Sequence, residues 1–184
     1  FAPKCNTAHN QGGVVASEGG VINVGGNIKF KDNGTIAANS KGGVFSISSG
    51  TLNLDTTDGD IVFDNNTAAI GSAIYVENGG KINFKGDDTH GITFSKTQTV
   101  ASDSSSTNQM NVAGGNIKFE SSLAGFTGQF TQTGGTFTLA NDFMNLNGTH
   151  NEVTGGKFIL SDGAKLMPTT DTEDNKLNIN GATI

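Results

Sequence analysis

"GGVFSISSGTLNLDTTDGDIVFDNN", residues 42–66, holds three short runs, Phe45-Ser46-Ile47, Leu52-Asn53-Leu54 and Ile61-Val62-Phe63, separated by little besides Gly, Ser, Thr and Asp. In an extended chain the first and third side chains of such a triplet share one face and the middle one takes the other. None of the three is long enough for a good hairpin, yet the pattern begins again. Ile22-Asn23-Val24, Leu52-Asn53-Leu54 and Ile82-Asn83-Phe84 set an Asn at 23, 53 and 83, a step of 30 residues. Ile28-Lys29-Phe30, Ile61-Val62-Phe63 and Ile92-Thr93-Phe94 form a second series, and Gly12-Gly13, Gly42-Gly43 and Gly71-Ser72 a third marker. Self-similarity at a fixed period is the signature of stacked repeats. A sandwich would use longer strands that turn back on themselves. Three short strands per period fit one three-sided coil of an all-β parallel β-helix, in which each strand pairs with its equivalent about 4.8 Å above. The chain starts again because one coil can neither bury its apolar triplets nor satisfy its backbone.

The second half keeps the triplet and shortens the step. Ile117-Lys118-Phe119, Phe137-Thr138-Leu139, Phe158-Ile159-Leu160 and Leu177-Asn178-Ile179 read as one series, most of them preceded by Gly-Gly. Residues 1–96 are thus expected to form wide coils and 110–184 tighter ones, in one continuous solenoid. Between them, "TQTVASDSSSTNQ" (97–109) is the most polar stretch and reads as a loop leaving the coil. The last residues remain strand-like with no capping helix. With a first residue that is not Met, this suggests a piece excised from a longer rod or one that associates end to end.

Composition agrees with many tight corners: 27 Gly, 2 Pro and no Trp in 184 residues. All 11 basic residues are Lys, and the net charge is −6. No basic stripe or bidentate Arg is available for phosphates, so nucleic acid is excluded as an expected partner. No apolar run approaches a membrane span, and none of the sequence is expected to act as a signal peptide. Cys5, alone, cannot form an internal disulfide.

The segment "FDNNTAAIGSAIY" (63–75) resembles the repeat of the chlamydial polymorphic membrane proteins and of related polymorphic outer-membrane proteins, whose paired signatures are Phe-x-x-Asn and Gly-Gly-Ala followed by Ile, Leu or Val. Phe63 to Asn66 matches the first, and Gly71-Ser72-Ala73-Ile74 departs from the second by one residue. Phe30 to Asn33 matches again, followed by Gly42-Gly43-Val44. The likeness covers residues 1 to about 95 and fades where Phe94-Ser95-Lys96-Thr97 lacks the Asn. It implies a type V autotransporter passenger: a right-handed β-helical rod on the bacterial outer membrane or cell surface, or secreted after processing, acting as an adhesin and virulence factor toward a protein or glycan on host or neighbouring cells. The rarity of left-handed crossovers points to the same hand.

The motifs have a structural reading of their own. Phe30 and Phe63 fill the interior, Asn33 and Asn66 suit corners where an amide bonds local backbone or its equivalent in the next coil, and Gly42, Gly43, Gly71 and Ala73 let the chain turn into the next strand. Asp55, Asp58 and Asp60 with Asp87 and Asp88 raise the question of a polysaccharide-degrading site or of calcium, for which Asp60, Asp87 and Asp88 are the candidate ligands. Their corner position, Gly59 among them and the absence of Arg and Trp favour solvated turns. We therefore expect no enzyme and no cofactor. His9, His90 and His150 lack metal-ligand spacing. For binding, the sequence offers Ser102, Asp103, Ser104, Thr107 and Asn108 on the expected loop, and Tyr75, whose ring points outward if Ile74 and Val76 point in. The competing role is a self-associating structural rod of a surface layer or filament.

Overall fold

Apolar-any-apolar triplets separated by residues that tolerate positive φ build the whole molecule. The computed structural model describes residues 6–95, 98–120, 126–140, 143–145, 150–161, 163–167 and 177–183, with backbone alone for 143–145 and 165–167. Cys5, Thr97 and the acidic stretch 171–175 lie outside them.

The chain enters at β1 (Thr7–Ala8). The first coil comprises β2 (Val15–Glu18), β3 (Val21–Gly25), β4 (Ile28–Lys31) and the short β5 (Gly34–Thr35). Above it lie β6 (Phe45–Ser48), β7 (Thr51–Asp55) and β8 (Ile61–Asp64), then β9 (Ile74–Glu77), β10 (Lys81–Lys85) and β11 (Gly91–Phe94). A fourth coil follows with β12 (Val100–Ser102), β13 (Gln109–Val112) and β14 (Asn116–Phe119), and a fifth with β15 (Gln129–Gln132), β16 (Thr136–Ala140) and β17 (Phe143–Asn145). The sixth holds β18 (Asn151–Val153), β19 (Lys157–Ser161) and β20 (Lys165–Met167), and β21 (Leu177–Ile179) opens the next.

Among the described residues every strand pairing is parallel and joins equivalent strands of successive coils. The first face runs β2-β6-β9-β12, the second β3-β7-β10-β13-β15-β18-β21 and the third β4-β8-β11-β14-β16-β19. This is a parallel β-helix, with no helix among the described residues. Along the second face the register step is 30 residues from Asn23 to Asn53, 28 from Asn83 to Asn111 and 20 from Gln109 to Gln129.

Three vertical rows hold the coils together. Inside, Phe30, Phe63, Phe94 and Phe119 stack in register with successive ring centroids 5.1, 4.7 and 4.2 Å apart; the row then steps across to Phe137, which lies opposite Ile117 with its ring tilted 5.6 Å from that of Phe119, and continues to Phe158 at 5.4 Å. On the outside of the second face, Asn53 Nδ2 donates to Asn23 Oδ1, Asn83 Nδ2 to Asn53 Oδ1 and Asn111 Nδ2 to Asn83 Oδ1, at 2.7 to 2.8 Å. The third row is buried. Asn33 donates both its main-chain N–H and its Nδ2 to Asn66 Oδ1 at 3.0 Å, and Asn66 Nδ2 donates to Gln98 Oε1 at 2.7 Å. Buried amides are costly unless paired, and here each satisfies the next. The residue before each of these asparagines, Asp32 or Asn65, takes positive φ, which short polar side chains tolerate.

The glycine signature divides into two tasks. Gly42 and Gly71 turn the chain at φ of 66° and 65°. Gly43 has a different constraint, because a Cβ there would overlap the Ser72 carbonyl of the coil above. Ser72 itself escapes it. In the coil above only five residues separate Phe94 from Val100, where thirteen separate Lys31 from Phe45 and nine separate Asp64 from Ile74, and Ser72 Oγ accepts from Thr99 N at 2.8 Å. The departure from Gly-Gly-Ala therefore falls where the coil contracts.

Two expectations are corrected. The expected loop 97–109 does not leave the coil over its described residues 98–109: Val100, Ala101 and Ser102 pair in register with Ile74, Tyr75 and Val76, Gln98 continues the buried amide row, and Asn108 is fully buried. The stretch looks like a loop because a Val-Ala-Ser strand carries one large apolar side chain, and its buried polar residues are paid for by amide bonds that periodicity does not reveal. Leu177-Asn178-Ile179 does not continue the Phe158 series either. It pairs with Asn151–Val153 on the second face, and Thr183 takes the place above Lys157.

Substitutions should rank accordingly in urea unfolding. Phe94→Ala, which removes a ring stacked on both sides, should cost about 3–5 kcal/mol. Asn66→Ala should cost about 1–3 kcal/mol, and the half-exposed Asn53→Ala about 1 kcal/mol or less. Gly43→Ala should destabilise far more than Ser72→Gly. The reverse order would contradict the proposed close approach.

Candidate functional site

At the corner between the second and third faces, successive coils turn through connections of different length. Gly25 pairs with Asp55, and Ile28 with Ile61, so the first coil turns through Gly26-Asn27 where the second uses Thr56 to Asp60. The third coil uses Gly86 to His90. The fourth, fifth and sixth return to bare corners, Ala113-Gly114-Gly115, Thr133-Gly134-Gly135 and Thr154-Gly155-Gly156. Two acidic corner loops therefore form a ridge with glycine corners on either side.

Hydrogen bonds within and between coils fix this ridge. Asp55 Oδ1 accepts from Thr57 N and Oγ1, and Asp87 Oδ1 from Thr89 N and Oγ1, the local bonding that makes Asp a turn residue. Asp60 N donates to Asn27 Oδ1 in the coil below, while Asp60 Oδ1 accepts from Gly91 N above at 2.8 Å. Asn116 Nδ2 reaches down to the Asp88 carbonyl, also at 2.8 Å. Lys85 Nζ lies 2.9 Å from Asp55 Oδ2, and with the Thr57 hydroxyl it lowers the Asp55 carboxyl to a pKa of about 2. The Lys29 ammonium lowers Asp64 and the Thr89 hydroxyl lowers Asp87.

A notch opens on each side of the ridge. The first, of about 190 Å³, is lined by Asn23, Val24, Gly25, Asn53, Asp55, Asp58 and Lys85. It exists because Gly25 has no side chain beneath the overhanging 56–60 corner. The second, of about 320 Å³, is lined by Asp88, Asn116, Gly135, Thr136, Gly156 and Lys157. Each presents a ridge carboxylate, an asparagine amide, a lysine ammonium and a glycine floor. The sequence shows the acids; what it hides is the difference in corner length between stacked coils.

The other expected site residues fall as follows. Asp60 and Asp87 direct carboxylate oxygens at backbone N–H groups, Asp88 stands at the second notch, and no group of three or more His, Cys, Asp or Glu side chains gathers for a metal among the described residues. His90 Nδ1 is 3.6 Å from Asp87 Oδ1. Ser102 Oγ bonds the main chain of Thr127 in both directions, and Asn108 Nδ2 donates to Asp103 Oδ1 at 2.6 Å, so both brace the coil. Ser104 and Thr107 are exposed on that corner. Tyr75 points away from the buried Ile74 and Val76 as expected, but it is only 4% exposed, so it is not an open anchor for a contact. Lys41 Nζ lies 4.7 Å from the ring centroid and 2.7 Å from Glu77 Oε2, covering the ring. Burial raises the tyrosine pKa against the opposing Lys41 charge. Phe30, Phe63, Asn33, Asn66, Gly42, Gly43, Gly71 and Ala73 all take part in coil stacking.

Compared with protein-family models, with curated proteins and with solved structures, the chain finds no match.

Asp55, Asp64 and Asp87 have depressed carboxyls in the folded state, so their contribution is complete above the ordinary value of 3.8 and is lost as pH falls through the lowered values. The urea midpoint should hold near neutrality and fall between about pH 4 and 2. In Lys85→Ala, carboxyl-detected NMR should show Asp55 titrating closer to 3.8. An unchanged Asp55 titration would remove the ion pair from the account.

Proposed function

We propose that this chain is part of a bacterial surface rod that acts as an adhesin toward host or neighbouring cells, displayed at the outer membrane or secreted after processing, and that it binds without catalysis. Its likeness to polymorphic membrane protein repeats supports an exported passenger. The observation that carries the reading is the division of labour in the coil: the signature residues are spent on stacking, while a rigid acidic ridge with flanking notches stands outward at one corner. Such a scaffold presents surface features without having to order them on binding.

Beads coated with the protein should adhere to cultured epithelial cells. Beads carrying the Asp58→Ala, Asp88→Ala double variant, whose exposed side chains carry no part of the fold, should adhere several-fold less. Adhesion no better than that of uncoated beads would overturn the adhesin reading.

The structural-rod reading rests on a separate observation. Val15, Ile22, Val24 and Phe30 are only partly buried in the first coil, whereas their partners Phe45, Leu52, Leu54 and Phe63 are buried, and Leu160 and Ile179 are exposed near the other end. Association through coil faces of this kind would run head to tail and would not close. Sedimentation would favour this role if mass rises with concentration and count against it if mass stays constant.

A further inference from the structure

We propose that the two notches beside the acidic ridge are subsites for a non-acidic oligosaccharide, each taking one sugar ring; this rests on the adhesin reading and names the class of its ligand.

The lining selects the chemistry. In the first notch Asp58 offers a carboxylate with no ion-pair partner among the described residues, Asn23 and Asn53 offer amides, and the Asp55–Lys85 pair sets acceptor and donor side by side. Asn23 Oδ1 already accepts from Asn53, which leaves the Asn23 Nδ2 as the free donor at the foot of the row. In the second, Asp88, Asn116, Thr136 and Lys157 repeat that mixture over the Gly135 and Gly156 floor. Fixed donors and acceptors at several points around a small concavity match vicinal hydroxyls, each of which donates and accepts.

Other ligand classes fit less well. A protein hot spot needs an apolar, desolvated pocket for an aromatic or aliphatic anchor, and Val24 is the one aliphatic side chain lining either notch. Phosphate, uronate or sialate would face the ridge carboxylates, with no arginine in the chain to clamp them. At 190 and 320 Å³ the notches lie at or below the small end of the roughly 300–1,000 Å³ of sites for drug-sized ligands, which suits a single ring.

The arrangement also predicts a length dependence. Gly25 belongs to the first coil and Gly135 to the fifth, so the glycine floors of the two notches are separated by about four coils, or about 19 Å at about 4.8 Å per coil. A linear oligosaccharide lying along the corner would engage both, and the second contact would then be intramolecular.

The test is NMR titration of the folded protein with glucose, galactose, mannose and N-acetylglucosamine and with linear tetrasaccharides of each, using sialyllactose and oligogalacturonate as acidic controls. At least one neutral series should shift the Asn23, Asn53 and Asn116 side-chain amides, its tetrasaccharide binding more tightly than its monosaccharide. Asp58→Ala and Asp88→Ala should each weaken tetrasaccharide binding by about tenfold, the loss expected from one charge-assisted hydrogen bond. Absence of these shifts with every neutral sugar, or binding confined to the acidic controls, would overturn the proposal. Bead adhesion without sugar binding would sink the subsites and leave the adhesin standing. Sugar binding without adhesion would do the opposite.

Discussion

Parallel pairing of each coil with the next, in register, is the constraint from which the remaining features follow. A three- to five-residue strand contributes too few hydrogen bonds to stand alone, so the molecule depends on repeating the same side chain at the same height. Phenylalanine stacks on phenylalanine inside, asparagine donates to asparagine outside, and a buried amide row runs up the corner after the third face. The amide rows also specify register, because a slip of one residue would bring an apolar side chain against an unpaired buried amide.

Coils of unequal length can share that register only if the difference is taken up at corners. On the side between the third and first faces the connection between strands shortens from thirteen residues to nine to five, and Gln98 replaces asparagine in the buried row. Its longer side chain, one residue further along the sequence, reaches the same acceptor position. Between the second and third faces the extra residues of the second and third coils project instead, and the glycine corners around them leave the notches. The outward relief is a consequence of unequal loops on an equal ladder.

The sequence makes the coil legible where an inward triplet is large and apolar. Ile22, Leu52, Ile82 and their partners mark the second face, and Ile28, Ile61 and Ile92 the third, at the spacing that the strands adopt. Reading fails where burial is polar. Gln98, Asn108, Gln132 and Asn151 are buried through hydrogen bonds to neighbouring coils, and nothing in their local pattern distinguishes them from loop residues. It fails again at Leu177-Asn178-Ile179, because a triplet states which side chains face inward but not which face it belongs to once the step has changed. The acids of the ridge were visible from the start, whereas the bare corners beside them became visible only when coils were set in register.

Register is therefore the claim to test first. In a Cys5→Ser background, Asn83→Cys with Asn111→Cys places two outward residues directly opposite in adjacent parallel strands, a separation within the range that a disulfide spans. Asn83→Cys with Val112→Cys shifts the second thiol by one residue and turns it inward. Under mild oxidation the account predicts an internal disulfide in the first pair and none in the second, read by mass spectrometry of the monomer. Cross-linking of the shifted pair, or of neither, would contradict the stacking that carries the fold, the ridge and both notches.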